Sequence, residues 1–186
     1  AGETFTARYT HDTIALAFAI TEEAIEDNLY DRLAARYTRA LARSMANTKQ
    51  VKAANVLNNA QNTAFTGGDG KTLINSAHPL ATGGTFSNVL STAADLNETS
   101  LEQSLIDIQA FVDERGLKIA SQGVKMIIPK ELQFTAERLM KSPQRTATAD
   151  NDINAIASMG MVPQGYRVNN FLTDSDAYFL LTDVPN

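Results

Sequence analysis

The first third of the chain has an unbroken apolar pattern without a single glycine or proline between Gly2 and Gly67. Thr4–Ile20 is rich in Thr, Ile, Phe and Tyr, which favours extended structure. Thr21 can cap a helix, because acidic residues follow it at the positive end of the helix dipole. Apolar residues then recur at four-residue spacing at Ile25, Leu29, Leu33, Tyr37, Leu41 and Met45. The pattern predicts one long helix from Thr21 to about Asn62.

A helix of that length would extend about 60 Å at the usual rise per residue. A strict four-residue spacing drifts around a helix with 3.6 residues per turn, so the apolar contacts change face along it. Two interpretations remain open. The helix is either a long core helix kinked near Asn47-Thr48, or a spine whose other faces are covered by neighbouring subunits.

Residues 66–88 have loop chemistry, with Gly-Gly-Asp-Gly, His-Pro and Gly-Gly in succession. Loops this long in compact proteins are commonly functional or stabilised by a partner. If the long helix is a spine, neighbouring copies would cover both the helix and this glycine-rich loop.

The remainder of the chain mixes helices and strands. We predict helices at Leu101 to about Arg115, capped by Thr99 or Ser100 and ended by Gly116, and at Glu131–Lys141. We predict strands at Val124–Ile128, Met161–Val168, Phe171-Leu172 and Ala177–Leu181, with a polar segment at Ser142–Asn154. The fold class is therefore α+β.

Composition excludes several classes of site. The 186 residues include no cysteine, so disulfides and thiolate chemistry are absent. The net charge is −5, and the 16 Lys and Arg residues never stand next to each other, which argues against a surface that coats nucleic acid. The apolar piece Ile14–Ile20 is too short for an anchor or signal peptide. Because the sequence begins at Ala1 without Met, we expect a processed or incomplete segment.

Three constellations suggest chemistry, and each departs from its motif. Gly67–Thr72 ends like a phosphate loop, but Phe65 stands where the first glycine is required. Asp69, Ser76 and His78 could form a hydrolase triad, although His78-Pro79 is better explained as a turn anchor bonded to backbone. Asp150–Asn154 lacks the glycine and terminal Glu of a calcium loop. We therefore expect no enzyme, no metal and no cofactor.

Several sequence blocks, in order, resemble the major capsid proteins of tailed bacteriophages, in the branch that includes Mu-like major head subunits. The blocks, which run from about Ile20 to Leu181, are Ile20–Tyr30, Ala40–Ser44, Val56–Ala60, Gly68–Leu73, Ala77–Pro79, Gly83-Gly84, Ser87-Asn88, Ile127–Leu132, Ala136–Leu139, Leu172–Asp174 and Ala177–Leu180.

The resemblance implies a Hong Kong-97-type capsid fold with a peripheral lobe, built around the spine helix, and an axial lobe. Relative to that family pattern, the N-terminal arm and a final C-terminal strand are expected to be missing from the sequence. The implied division is 1–20 for the end of an extended loop and entry strand, 21–98 for the peripheral lobe with its spine (about 21–62) and glycine-rich loop (66–88), 99–173 for the axial lobe, and 174–186 for a return strand.

The resemblance also implies self-assembly into hexamers, pentamers and a closed icosahedral shell in the virion, made in the bacterial cytoplasm. Such a shell encloses double-stranded DNA without binding it specifically and has no membrane contact. Portal, scaffold and decoration proteins are further partners to consider. As subunit-interface candidates we take Tyr30, Arg36, Arg43, Asp69, Lys71, His78, Arg145 and Asp152.

Two alternatives belong to other functional classes. An encapsulin-type compartment would use the same fold to enclose proteins instead of DNA. A small soluble hydrolase would use His78 with Asp69 and Ser76, stay monomeric, and turn over a substrate.

Overall fold

A computed structural model describes residues 5–8, 10–27, 30–145 and 152–184, with only the helical backbone described at 30–32. The chain divides into two units, one formed by residues 8–56 and the other by residues 1–7 and 57–186. The helices are α1 (Glu22–Glu26), α2 (Tyr30–Asn58), α3 (Glu98–Gln109), α4 (Gln133–Lys141), which follows a 3₁₀ turn at Lys130–Leu132, and α5 (Ala155–Ser158). The strands are β1 (His78–Pro79), β2 (Thr85–Phe86), β3 (Gly123–Ile128), β4 (Tyr166–Val168) and β5 (Phe179–Thr182).

The main sheet has β3 at its centre, with β4 parallel on one side and β5 antiparallel on the other. Met126 is the register residue for both neighbours, since it faces Tyr166 of β4 and Leu180 of β5. The apolar run Val124–Ile128, predicted as a buried strand, is confirmed as part of β3, and Pro129 follows it directly. The predicted mixed helix and sheet content is also confirmed.

The core of the unit formed by residues 1–7 and 57–186 lies where α3 and α4 cover β3. Leu101 and Met126 are completely buried, as is Ile128. Leu101 and Leu105 of α3 lie in this core together with Ala136 and Leu139 of α4, because residues three or four apart share one face of a helix. The full cluster is Leu96, Leu101, Leu105, Met126, Ile128, Ala136, Leu139, Ile156 and Val162.

Helix α3 begins earlier than predicted. Asn97 is the N-cap, and its side chain accepts a hydrogen bond from the Ser100 N–H at 2.9 Å. The Ser100 hydroxyl accepts one from the Asn97 N–H at 3.0 Å, which completes a capping box. The predicted cap at Thr99 or Ser100 is therefore wrong, because Ser100 plays the reciprocal role one turn inside the helix.

The end of α3 also differs from the prediction. The helix stops at Gln109 instead of Arg115. Asp113 closes a tight turn, in which its N–H donates to Leu117 O at 2.8 Å and its carboxylate accepts from the Arg115 and Leu117 N–H groups. Gly116, the predicted helix terminator, lies inside that turn at φ 82°, a conformation that glycine adopts without strain.

The unit formed by residues 8–56 contains α1 and most of α2. The prediction of one helix from Thr21 to Asn62 is wrong in its bounds, since α1 ends at Glu26 and α2 ends at Asn58. α2 runs without interruption through Asn47-Thr48, so the helix does not end there, and the kink expected at these residues stays a prediction. In the described part of residues 5–21 no strand is assigned, so Thr4–Ile20 does not supply a paired strand there.

The predicted C-terminal strands are shorter than expected. Val162 has a positive φ of 55° and Gly165 one of 65°, so the backbone turns between them and only Tyr166–Val168 enters the sheet. Phe171-Leu172 lies in a turn after Asn169, whose side chain accepts the Phe171 N–H at 3.0 Å. The final strand is confined to Phe179–Thr182.

Candidate functional site

The predicted glycine-rich loop is tied together by a pair of side chains nine residues apart. His78 Nδ1 and Asp69 Oδ2 lie 2.6 Å from each other, and their side chains are 11% and 18% exposed. With the carboxylate ionised, Nδ1 carries the proton and donates a hydrogen bond to Asp69 Oδ2. A charge-assisted hydrogen bond with so little exposure is stronger than a neutral or solvated one.

The carboxylate of Asp69 has a second role in the same loop. Its Oδ1 accepts the backbone N–H of Lys71 at 3.0 Å, an Asx turn that shapes the glycine-rich hairpin. Partial burial would by itself raise the pKa of Asp69, but the hydrogen bonds from His78 and from the Lys71 N–H outweigh burial and lower that pKa below its ordinary value.

The imidazole of His78 is fixed on its other side by aromatic rings. It stacks on Phe86 with ring centroids 5.1 Å apart, and Phe86 meets Phe111 edge-on at 6.1 Å. The β1–β2 pairing sets this contact, because His78 is the register partner of Phe86. The predicted bond from the imidazole to backbone is wrong, since the bond is to a carboxylate.

Two asparagines close the base of the loop. The Asn75 N–H donates to Asn88 Oδ1 at 2.8 Å, and Asn88 Nδ2 donates to Leu73 O at 2.8 Å. The Ile74 N–H donates to Ala60 O at 2.8 Å and so attaches the loop to the residues that follow α2. These bonds lie within one chain. Part of the loop backbone is therefore satisfied without a neighbouring copy, and its coverage by neighbours stays a prediction.

The hydrolase alternative can be compared with this geometry. Two of its three residues, Asp69 and His78, are indeed paired. Ser76 is exposed, whereas Nε2 of His78 is buried and has no hydrogen-bond partner among the described residues. A general base needs its free nitrogen within hydrogen-bond reach of the proton that it removes. The arrangement suits a structural anchor better than a catalytic base.

The phosphate-loop segment forms an ordinary hairpin. The Gly67 N–H donates to Lys71 O at 2.7 Å, and the Gly70 N–H donates to Gly67 O at 3.1 Å. Thr66 and Thr72 pair across it. These backbone donors, which a phosphate would need, are thus used inside the turn.

The predicted interface residues fall in three separate places. Arg36 and Arg43 are exposed on α2, and the side chain of Tyr30 lies outside the described residues. Lys71 is exposed on the loop that holds Asp69 and His78. Arg145 and Asp152 lie on either side of residues 146–151, which are outside the described part of the chain.

Arg145 and Asp152 are themselves joined by a backbone hydrogen bond. The Arg145 N–H donates to Asp152 O at 2.8 Å, and Gln144 pairs with Ile153. Arg145 Nε also donates to Glu98 Oε2 at 2.9 Å, at the first turn of α3. The Glu98 carboxylate, by hydrogen bond and charge, raises the pKa of Arg145. Of the calcium-like segment Asp150–Asn154, the first two residues lie outside the described part.

Sequence reasoning missed the residues that hold His78 in place. Phe86 and Phe111 were not singled out, and Asn75 was not recognised as a loop anchor. Ser87-Asn88 was one of the sequence blocks that resemble phage major capsid proteins, but no contact was predicted for it. Single aromatic residues in loop-like stretches give no periodic signal from which their contacts could be deduced.

Within the described ranges, no group of three or more His, Asp or Glu side chains is placed to hold a metal ion. Nor does any described helix combine the length and apolar character needed to cross a membrane.

A protein-family model described as "Phage capsid protein" matches residues 4–186. The match therefore covers nearly the whole chain. No curated protein and no solved structure shows significant similarity to it.

Proposed function

The chain belongs to the phage capsid protein family, and on that premise we propose that it is the shell-forming subunit of an icosahedral head that encloses double-stranded DNA. Capsid proteins of this family are structural components of the virion. Assembly into hexamers and pentamers is our proposal for how this chain builds the shell.

The observation that carries the proposal is the exposure of the unit formed by residues 8–56. Among its described residues Ala54 alone is buried. Large apolar side chains stay open to solvent, with Leu16 53%, Ile25 54% and Val56 61% exposed. A segment of this size with no core of its own is hard to stabilise alone, because folding entropy must be offset by burial.

Neighbouring copies would supply the missing cover. At about 25 cal/mol per Å² of apolar surface, a few hundred Å² buried per neighbour gives several kcal/mol. Heterologous contacts that close into rings repeat that gain at each subunit. A 29-residue helix with little buried surface is the kind of element that such contacts would cover.

For the architecture we propose the Hong Kong-97-type fold, with residues 21–98 in a peripheral lobe, 99–173 in an axial lobe and 174–186 returning to the peripheral lobe. The ordered sequence blocks and the mixed helix and sheet content support this assignment. Within the family, the same blocks favour the Mu-like branch.

We also propose that the protein is not an enzyme. The support is the geometry of the Asp69–His78 pair, which leaves the second ring nitrogen buried and without a hydrogen-bond partner among the described residues.

Electron microscopy of the concentrated full-length protein tests the proposal. We expect closed particles or rings, and light scattering should give a molar mass many times that of one chain. A protein that stays monomeric at high concentration would overturn the proposal. Particles containing an enriched enzyme instead of nuclease-protected DNA would point to the encapsulin-type alternative.

A further inference from the structure

Charge is strongly segregated in the unit formed by residues 8–56. Four acidic residues, Glu22, Glu23, Glu26 and Asp27, lie in α1 and its C-cap, and all four are exposed. After Asp31 no Asp or Glu occurs before Asp69, while six Lys and Arg residues fall between Arg32 and Lys52. An acidic segment is thus followed directly by a wholly basic one.

The basic residues also share one face of α2. No two are adjacent along the chain, yet Arg36, Arg39 and Arg43 follow the i, i+3, i+7 spacing. At about 100° per residue this spacing places them within about 60° of arc. All three are exposed, and none makes an ion pair within the described part of the chain. We call these three residues the arginine face.

From this arrangement we infer that the arginine face of one copy binds the acidic segment, Glu22–Asp27, of a second copy. The inference rests on the proposed function, and it names the contact that orients one shell subunit on the next. The contact is heterologous, because it joins two different surfaces, so it can close into a ring.

The dimensions of the two surfaces agree. Arg36 to Arg43 covers about 10 Å along the helix axis, and Glu22 to Asp27 covers about 8 Å at the same rise per residue. The three guanidinium groups are therefore spread over nearly the same distance as the four carboxylates. Arginine is well suited to this role, because its fork of donors matches a carboxylate.

A second copy is favoured over DNA as the occupant by the surroundings of the arginine face. The chain carries a net charge of −5, which disfavours binding to the negatively charged backbone of a nucleic acid. The same unit leaves Ile25 and Val56 exposed, and apolar surface calls for a protein partner. Ile25 lies within the acidic segment itself, so one contact would satisfy both kinds of group.

Charge reversal in the full-length protein tests the inference. The basic reversal is Arg36→Glu with Arg39→Glu, and the acidic reversal is Glu23→Arg with Glu26→Arg. A third chain carries both reversals. Lys49→Glu is the control, because it reverses one positive charge on α2 at a position about 140° around the helix from Arg36. The readout is the particle fraction by sedimentation velocity in nuclease-treated samples, with circular dichroism to verify folding.

We expect each single reversal to lower the particle fraction at least about tenfold, because attraction is replaced by repulsion between like charges. The chain with both reversals should return to within about threefold of the unsubstituted protein, since the complementary pairing is restored. Lys49→Glu should assemble normally. Added salt should weaken the unsubstituted contact by screening it.

Two results would overturn the inference. One is a folded chain with both reversals that does not regain assembly. The other is a basic reversal that assembles normally but retains less DNA, which would make the arginine face a nucleic-acid contact. If the unsubstituted protein forms no particles, the failure belongs to the proposed function instead.

Discussion

His78 and Asp69 are joined across the glycine-rich loop by a hydrogen bond of 2.6 Å that is largely shielded from solvent. The bond spans nine residues and connects the hairpin at Gly67–Thr72 to the β1–β2 pair. A loop that appears open in sequence is thereby given one defined conformation.

Asp69→Ala is expected to destabilise the protein by about 1–3 kcal/mol, because the buried imidazole of His78 is left without its hydrogen-bond acceptor. Urea denaturation at neutral pH measures the change. Asp12→Ala is the control, since it removes an equally short ion pair, to Lys52, at an exposed site, and it should have little effect. Equal effects of the two substitutions would contradict a special role for the loop pair.

The contribution of Asp69 should depend on pH in a definite direction. Its pKa in the folded protein is lowered from the ordinary value of 3.8, so its stabilising effect is complete above that value. The effect is lost as the pH falls through the lowered pKa. The stability difference between the unsubstituted protein and Asp69→Asn should therefore stay constant above about pH 5 and shrink as the pH falls from about 5 towards about 2. A difference that stays constant over this range would exclude a charged Asp69 as the cause.

Asn97→Ala is expected to cost about 1 kcal/mol of stability through loss of the α3 cap. Thr99→Ala should be nearly neutral, because Thr99 is exposed and takes no part in the capping box. Thermal denaturation of the two variants compares the observed cap with the one expected from sequence. A larger loss at Thr99 would contradict the observed boundary of α3.

Leu101→Ala should cost about 2–5 kcal/mol, because it removes a fully buried side chain from the contact between α3 and β3. Ile106→Ala lies on the same helix but is 59% exposed, so its cost should be far smaller. Chemical denaturation gives both values. Similar losses at the two positions would mean that α3 does not bury the face described here.

Val56→Glu tests whether the exposed apolar surface of α2 serves assembly. Val56 is 61% exposed, so the substitution should leave thermal stability nearly unchanged while it reduces particle formation. Val56→Leu keeps the apolar character and should assemble normally. If Val56→Glu assembles as well as Val56→Leu does, this part of α2 is not covered in the shell.

Sequence alone predicted the elements whose periodicity is enforced by burial. The run at 124–128 became β3. Of the predicted apolar face Leu101, Leu105, Ile108 and Val112, the first three became the buried face of α3, whereas Val112 lies beyond its end. In these stretches local propensity and packing favour the same structure.

Boundaries were harder to predict, because they depend on single hydrogen bonds. Asn97 was chosen over Thr99 as the cap by a reciprocal bond to Ser100 that composition does not reveal. The division between α1 and α2 likewise left no glycine or proline as a signal, and Ala, Leu and Glu favour helix on both sides of it.

Asp69 and His78 were considered together only in the hydrolase alternative, whereas the preferred prediction bonded His78 to backbone. The stacking of His78 on Phe86 could not be predicted, because it depends on the three-dimensional β1–β2 pairing. The arginine face is a further case, because its residues are apart in sequence and meet only when α2 is formed.

The sheet order β4–β3–β5 has a consequence for a protein made in many copies at once. Its outer strands are three and four residues long, so in the described part of the chain each offers only a few main-chain groups to a stray strand. Crowded subunits thus have little template for amyloid-like stacking, and off-pathway aggregation through this sheet is disfavoured.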